Sequence, residues 1–580
     1  MAPGQRMAWE IRKIHDAVLS REIGTTRKER GGRLRVALVY PNRYAAGMSN
    51  LGFLSIHARI NVRAGALCER AFLPSAEEER ILLRRSLPLS TLESGSALKD
   101  FDVVALSLSY ENDLLNLPSI LSAGGVPPFR EDREKCGGAR PLVIAGGFAA
   151  SLNPEPVGVF ADAVVVGDGE RAAGAVVDLG DPRPADMEYM KCLAAIPGVY
   201  VPAGYAAEYG EARGGATGGE GRLRELCGRP GFPPRVVRET VDLSEYPPLP
   251  TVMAEDAELG KMALVETSRG CPRMCGFCAA AHACPQFRET PLRFARAAVD
   301  AAWPHRRKIG LIGAAVLDWS HFREFSREIV ARGGAVSPAS VRADLVDEEI
   351  ADILKRSGHR TVALAPECGS EPLRARIGKR VPDRTFFSAG KTLARSGIVS
   401  FKLYFLVGVP GAERDDETEG AVGFLREFRK AVLEESKAVG RMGTVTVVLS
   451  PFVPKPFTPL QWAAMAVESE LKLRQERIAS GVRSIPNVRV ESEAPRTAIL
   501  QGFLGLSDRR VERALRNARK GRLKLPAGNL AVPLPEIVHR EKGAGEYFPW
   551  SIIEGGLPGD VLRKRYESMM RDRHDGRRLT

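Results

Sequence analysis

Three cysteines, Cys271, Cys275 and Cys278, stand in the run Cys-Pro-Arg-Met-Cys-Gly-Phe-Cys. Thiolates at this spacing are soft ligands suited to iron or zinc. Three such ligands, with no fourth of equal standing, leave one iron of a four-iron four-sulfur cubane open, whereas electron-carrying clusters usually have four cysteines. An open iron is a place where a small molecule can chelate. A structural zinc site would instead need a fourth ligand, and Cys284 and His282 are near enough in sequence to offer one. Chain order weighs against zinc, because the loop opens a strand-and-helix series rather than a free-standing knuckle; Cys284 is then a bystander.

The element that must carry this loop is the apolar run at residues 262–267 (MALVET). Further short runs follow at 309–312, 339–343, 361–365, 401–407 and 444–449, with helical patterns such as 322–330 and 348–354 between them. Six strands alternating with helices predict a partial (β/α)6 barrel of the TIM type. The cysteines then sit at the C-terminal end of its first strand, where such barrels build their active sites.

Upstream, a second alternating series begins at 33–41 (RLRVALVYP), followed by a helix at 51–60 and by runs at 102–108, 141–145 and 161–166. This predicts a doubly wound, flavodoxin-like sheet with helices on both faces. Its ligand loops are those after the strands: Ser107 and Ser109, the pair Gly146 and Gly147, and Gly167. The expected division is an extension at 1–32, a Rossmann-like domain at 33–203, a linker at 204–255, the barrel at 256–465 and a helical extension at 466–580. Within these, 204–235 is rich in Gly, Arg and Glu and 247–250 reads PPLP. Helices are expected at 469–478 and 508–519, with a proline-rich stretch at 525–535.

Composition narrows the function classes. A chain of 580 residues is too long for one ordinary core, and 44% hydrophobic with 27% charged residues is the balance of a globular protein. No apolar run is long enough to cross a bilayer and the first residues lack a signal-peptide core, which places the protein in the cytoplasm. Nine scattered cysteines in a reducing compartment predict metal ligation rather than disulfides. The formal charge of +13 is spread along the chain rather than gathered in a block, which disfavours nucleic acid as a partner. The mixed tail at 563–578 reads as a solvated terminus.

The CxxxCxxC loop after a first barrel strand resembles the signature of the radical S-adenosylmethionine (SAM) superfamily. That resemblance implies a 4Fe-4S cluster on Cys271, Cys275 and Cys278. Its open iron would bind SAM, and one electron from a low-potential donor such as flavodoxin or ferredoxin would give a 5'-deoxyadenosyl radical. Phe277 matches the aromatic residue that packs beside adenine in the family. Ala365-Pro366-Glu367-Cys368-Gly369-Ser370 resembles the segment that brings Glu367 and Ser370 near the SAM ribose or amino group. Residues 340–344 resemble the third-strand segment, with Arg342 for the SAM carboxylate, and Gly408 to Gly411, including Pro410, the turn near adenine. The plainer readings of these residues are core packing, a glycine turn and a surface ion pair. For Cys368 they are pocket filling set against a part in hydrogen transfer.

The upstream order, with Asn153-Pro154-Glu155-Pro156, resembles a cobalamin-binding domain found ahead of many such barrels. It implies that Ser107, Ser109, Gly146, Gly147 and Gly167 line the slot for the nucleotide tail. The plainer reading is a flavodoxin-like sheet with an empty cleft. The first loop, residues 41–47, lacks the Asp-x-His-x-x-Gly that supplies a histidine to cobalt, so either cobalamin binds without a protein ligand, with Arg43 or Tyr44 facing cobalt, or the domain has lost it. Residues 451–462 and 48–52 resemble a little-characterised group of cobalamin-domain radical SAM proteins, and the likeness runs from about residue 33 to about residue 520.

The first functional expectation is therefore a cobalamin-dependent methyltransferase acting on an unactivated carbon, its substrate unspecified. A cyclase or rearrangement enzyme with the same cofactors is the alternative. A tRNA methylthiotransferase would need three further cysteines, and Cys68, Cys136, Cys192 and Cys227 have no spacing for a second cluster. A cobalamin or iron-sulfur sensor would not cleave SAM.

Overall fold

The structure, a computed structural model, describes residues 3–137, 141–210, 221–247, 252–284, 286–518, 521–523 and 530–571. Parts of the expected linker (211–220, 248–251), the end of the 508–519 helix (519), the proline-rich stretch (524–529) and the tail (572–580) lie outside the described residues. The chain divides into two units: Met1–Lys261 with Leu504–Ile537 and Glu546–Gly555, and Met262–Phe503 with Val538–Gly545 and Gly556–Thr580.

The first unit is built on a six-stranded sheet: β1 (Leu34–Arg43), β2 (Ala66–Leu73), β3 (Val103–Ser107), β4 (Leu142–Gly146), β5 (Ala163–Val165) and β6 (Val199–Tyr200). The order is β2-β1-β3-β4-β5-β6, parallel except for β6. The first five strands thus have the flavodoxin-like order, which reverses between β1 and β3. Helix Leu51–Val62 starts where Asn50 accepts from the Phe53 N–H, and it buries Phe53, Leu54 and Ile60. Together with Val36, Leu38 and Leu142 these form the core.

Two parts of this unit depart from expectation. The strand β2 (ALCERAFL) does not read as a core strand because of Glu69 and Arg70, yet both are buried. Arg70 donates to Glu22 at 2.7 Å and Glu93 at 2.6 Å, and Glu69 accepts from Thr91, so Arg70 is ion-paired and Glu69 hydrogen-bonded inside. The segment expected as a linker is structured as well. Tyr205–Tyr209 and Leu223–Gly228 form an antiparallel ribbon, and Val236–Val237 pairs with Ile553–Glu554.

The second unit holds seven parallel strands in two sheets. One contains β7 (Ala263–Glu266), β8 (Lys308–Ile312) and β9 (Ala335–Pro338); the other contains β10 (Thr361–Glu367), β11 (Ser400–Val407), β12 (Val445–Pro451) and β13 (Val488–Ser492). Helices such as Phe322–Ala331, Glu348–Arg356 and Asp383–Arg395 alternate with them, as in a partial barrel. The third strand lies at Ala335–Pro338, not at 339–343: Gly333 and Gly334 end the preceding helix early, and Ala343–Leu345 is a single tight turn. The sheet also continues past residue 465, because β13 pairs with β12 although its run VRVES is mostly polar. Residues 466–580 are accordingly divided between the two units rather than forming one appended extension. No helix among the described residues is long and apolar enough to cross a membrane.

Candidate active site

The chain leaves β7 at Glu266, and Ser268–Arg269 pairs with Arg288–Glu289, so the cysteine loop is held at its base by a two-stranded clasp. Gly276, between the second and third cysteines, is gripped three ways within the second unit. Its N–H donates to the Ile377 carbonyl at 2.8 Å and its carbonyl accepts from the Leu460 N–H at 3.2 Å. A Cβ at Gly276 would meet the Met569 methyl at 2.5 Å and the Ile377 carbonyl oxygen at 3.2 Å, so a side chain here would have to displace the end of Met569.

Burial pushes the Cys275 thiol up to about 11 and raises Cys278 as well; the Lys379 charge pulls Cys275 back in part. Metal binding must therefore displace protons from these thiols. His282 is fully buried, and burial lowers its pKa to about 4, so the neutral ring spends its Nε2–H on the Cys275 carbonyl at 3.0 Å. Through that bond it braces the loop, and its Nδ1 lies buried without a hydrogen-bond partner. The three-thiol set fits the 4Fe-4S cluster.

The Glu367 segment closes the end of β10. A bulge interrupts the register between Leu364 and Glu367, and Glu367 takes a left-handed φ of 65°. Arg374, wholly buried, enforces this path by donating to the Pro366 carbonyl (3.0 Å), the Cys368 carbonyl (2.7 Å) and Asp383 (2.7 Å). The Glu367 carboxylate accepts from Lys379 at 3.0 Å. Ser370 caps helix Glu371–Arg376 by accepting from the Leu373 N–H, so its hydroxyl is used within the fold. The Cys368 thiol is buried and held protonated by burial.

The turn after β11 is shaped by a residue that carries no motif. Buried Glu417 accepts from the N–H groups of Gly408 (3.1 Å) and Val409 (2.9 Å), and Arg474 donates to it at 2.8 Å. Pro410 follows half-buried, as does Phe277 beside the third cysteine. Arg342 lies beyond its strand and donates to Asp344 at 2.8 Å, while Arg273 of the cysteine loop binds Asp318 at 2.8 Å. Arg342 is thus already matched to protein carboxylate. No signal in the sequence marks Arg374, Glu417 or Lys379, whose partners are set by tertiary packing.

In the first unit, the loops at the reversal between β1 and β3 bond to one another. Asn42 donates to Asp113 at 3.1 Å, Asn50 to Ser109 at 2.9 Å and Asn116 to the Pro41 carbonyl at 2.8 Å. Tyr44 turns to Glu22 at 2.7 Å, and Arg43 is exposed. A Cβ on Gly147 would meet the Leu108 carbonyl oxygen at 2.4 Å, and one on Gly167 the Glu239 carbonyl oxygen at 2.1 Å; both take φ near 102°. Chain packing alone therefore requires these two glycines. Gly146 has ordinary contact with Val165, and Ser107 is half-buried. The first loop offers no histidine, and Ser109 accepts from Asn50; a cobalamin held here would bind without a histidine ligand from that loop, against the small residues Ser107, Gly146 and Gly147.

Two family models match in the order of the two units. "Radical SAM proteins, N-terminal" covers residues 52–202 and "Radical SAM superfamily" covers 265–422, which includes the cysteine loop, the Glu367 segment and the Gly408 turn. The chain belongs to the radical SAM superfamily. This radical SAM chain is 26% identical over 482 residues to the uncharacterized protein MJ0966 of Methanocaldococcus jannaschii, a match spanning 83% of this chain and 90% of that one. Among solved structures it resembles the cobalamin-dependent SAM radical enzyme OxsB with aqua-cobalamin and SAM bound (16% identity, TM-score 0.46). That match covers 68% of this chain, which spans about half of OxsB, 52%. It also resembles the radical SAM methyltransferase TsrM of Kitasatospora setae with tryptophan and a SAM analog bound (16% identity, TM-score 0.47, 74% of this chain and 75% of that one).

Proposed function

We propose that the second unit cleaves SAM at a cluster held by Cys271, Cys275 and Cys278 and uses the product to abstract hydrogen from a carbon of a separate substrate. The observation that carries this reading is the set of three half-buried thiols on one braced loop, with His282 committed to backbone. When bound, the cluster supplies the single electron that reductive cleavage of SAM requires. The protein's part is position and dryness: Gly276, His282 and Arg374 hold the loops, Glu417 shapes the Gly408 turn, and burial of Cys275 and Cys278 keeps water from the ligated face. A thiol-held cluster of this kind suits the reducing cytoplasm.

The second reading is cobalamin-dependent methylation of an unactivated carbon. It is favoured by the flavodoxin-like strand order, which places ligands at the β1/β3 reversal, and it has to overcome the side-chain bonds that occupy that point. One experiment addresses both readings. Protein reconstituted without oxygen, with iron, sulfide and hydroxocobalamin, is assayed for iron, cobalt and, after reduction with SAM, 5'-deoxyadenosine. About four irons per chain, lost in a Cys271→Ala, Cys275→Ala, Cys278→Ala protein, together with 5'-deoxyadenosine, is the expected result. About one retained cobalt per chain would support cobalamin binding, and S-adenosylhomocysteine formed alongside 5'-deoxyadenosine would then separate methyl transfer from rearrangement; zinc in place of iron would overturn the first reading.

A further inference from the structure

The segment that follows the Glu367 bulge returns to the cysteine loop. Ile377 accepts the Gly276 N–H at 2.8 Å, and the Cβ direction of Gly378 points at the Gly276 nitrogen, 3.2 Å away. One residue further on is Lys379, whose N–H donates to the Arg374 carbonyl at 3.0 Å. Buried Arg374 thus fixes the Lys379 backbone as well as the Glu367 backbone. The two side chains meet at 3.0 Å, each only 14% exposed. Glu367 is held in the left-handed region, a strain that persists only where the surroundings impose it.

A cluster gains one negative charge when a low-potential one-electron donor reduces it, and cluster potentials follow nearby charge and solvent exposure. A cation largely removed from water acts strongly on that added charge, because the local dielectric is low. We propose that Lys379 is a positioning charge that sets the potential of the cluster on Cys271, Cys275 and Cys278, with Glu367 holding it in place and offsetting part of its effect. Lys379 touches neither the reacting atoms nor the thiols in this role; it favours the reduced state through space. The inference rests on the cluster assignment made above.

The test is a potentiometric titration of the loaded full-length protein without SAM, followed by electron paramagnetic resonance. Lys379→Met should lower the reduced-to-oxidised ratio at a given applied potential by about tenfold, which for a one-electron couple is about 59 mV. Glu367→Gln should shift it the opposite way, and Lys379→Arg should stay near the parent protein. Opposite signs from neighbouring residues are not produced by general damage to the loop. If both variants load iron and move the potential in the same direction or not at all, the proposal falls. A raised KM for SAM in Lys379→Met with an unchanged potential would likewise overturn it, by making Lys379 a ligand contact. Should Lys379→Met not load, Glu367→Gln decides alone. A parent protein that takes up no iron sinks the cluster assignment itself, a result distinct from all of these.

Discussion

Arg374 shows how much of the site rests on single buried groups, since its guanidinium satisfies carbonyls of Pro366 and Cys368 that would otherwise lie unpaired inside the second unit. Asp113 in the first unit is the opposite case, a buried carboxylate with a neutral partner. Burial raises its pKa to about 6, moderated by the Asn42 hydrogen bond and reinforced by Glu111. A carboxyl group whose pKa is raised on folding binds its proton more tightly in the native state. Its contribution is therefore fully present below the ordinary value of 3.8 and is lost as pH climbs through about 6. At pH 7 the cost is on the order of 2–3 kcal/mol. Asp113→Asn keeps an acceptor for Asn42 and should raise the melting temperature at pH 7 while flattening its dependence between pH 4 and 7. An unchanged pH profile would show that the Asp113 charge is solvated. The sequence offered Ser107, Ser109, Gly146 and Gly147 here; it gave no sign of Asp113, which becomes buried only when the loops close on one another.

Among elements, the helix Gly559–Arg571 bears most directly on the cysteine loop. It buries Leu562 and Tyr566, sets Tyr566 beside Trp462 at 6.0 Å and brings Met569 onto Gly276. In the sequence it reads only as a charged terminal pattern, because its apolar positions are few and their partners, Trp462 and Gly276, lie far upstream. A chain ending at residue 558 should still assemble a cluster but bleach faster in air, as followed by absorbance near the cluster's visible band. Equal bleaching rates would mean the helix does not shield the loop. The strands are a contrast: β1, β3, β4, β7, β11 and β12 were legible because each is a short apolar run ending in turn residues. β2 and β13 were not, since a buried salt bridge and an exposed edge both look polar on the page.

For the whole molecule, the return of residues 504–537 to the first unit is what the Asn153 segment serves. Asn153 donates to the carbonyls of Gly505 (3.0 Å) and Ser507 (2.8 Å), and Arg509 binds buried Glu155 through two nitrogens, both at 2.8 Å. Arg509 also reaches the Tyr205 carbonyl and the Tyr200 hydroxyl, each at 2.9 Å. Removing one partner of such a pair leaves a charge buried alone, at a cost of about 3–5 kcal/mol. Arg509→Met should therefore lower the unfolding midpoint of the first unit, and adding Glu155→Gln should recover part of the loss. A double variant no better than the single one would mean the pair is not what holds this segment.

The sequence by itself determined the α/β class, the two successive parallel series and the cysteine loop at the end of a barrel strand. These follow from local rules: apolar period, turn residues and ligand spacing act over a few neighbours and survive in any fold that obeys them. Tertiary structure alone decided that His282 braces the loop, that Glu417 builds the Gly408 turn, that Lys379 faces Glu367, and that Gly147 and Gly167 answer to chain packing. Each of those depends on groups brought together from distant positions, and a polar side chain carries no mark of which partner will neutralise it until the chain has folded around both.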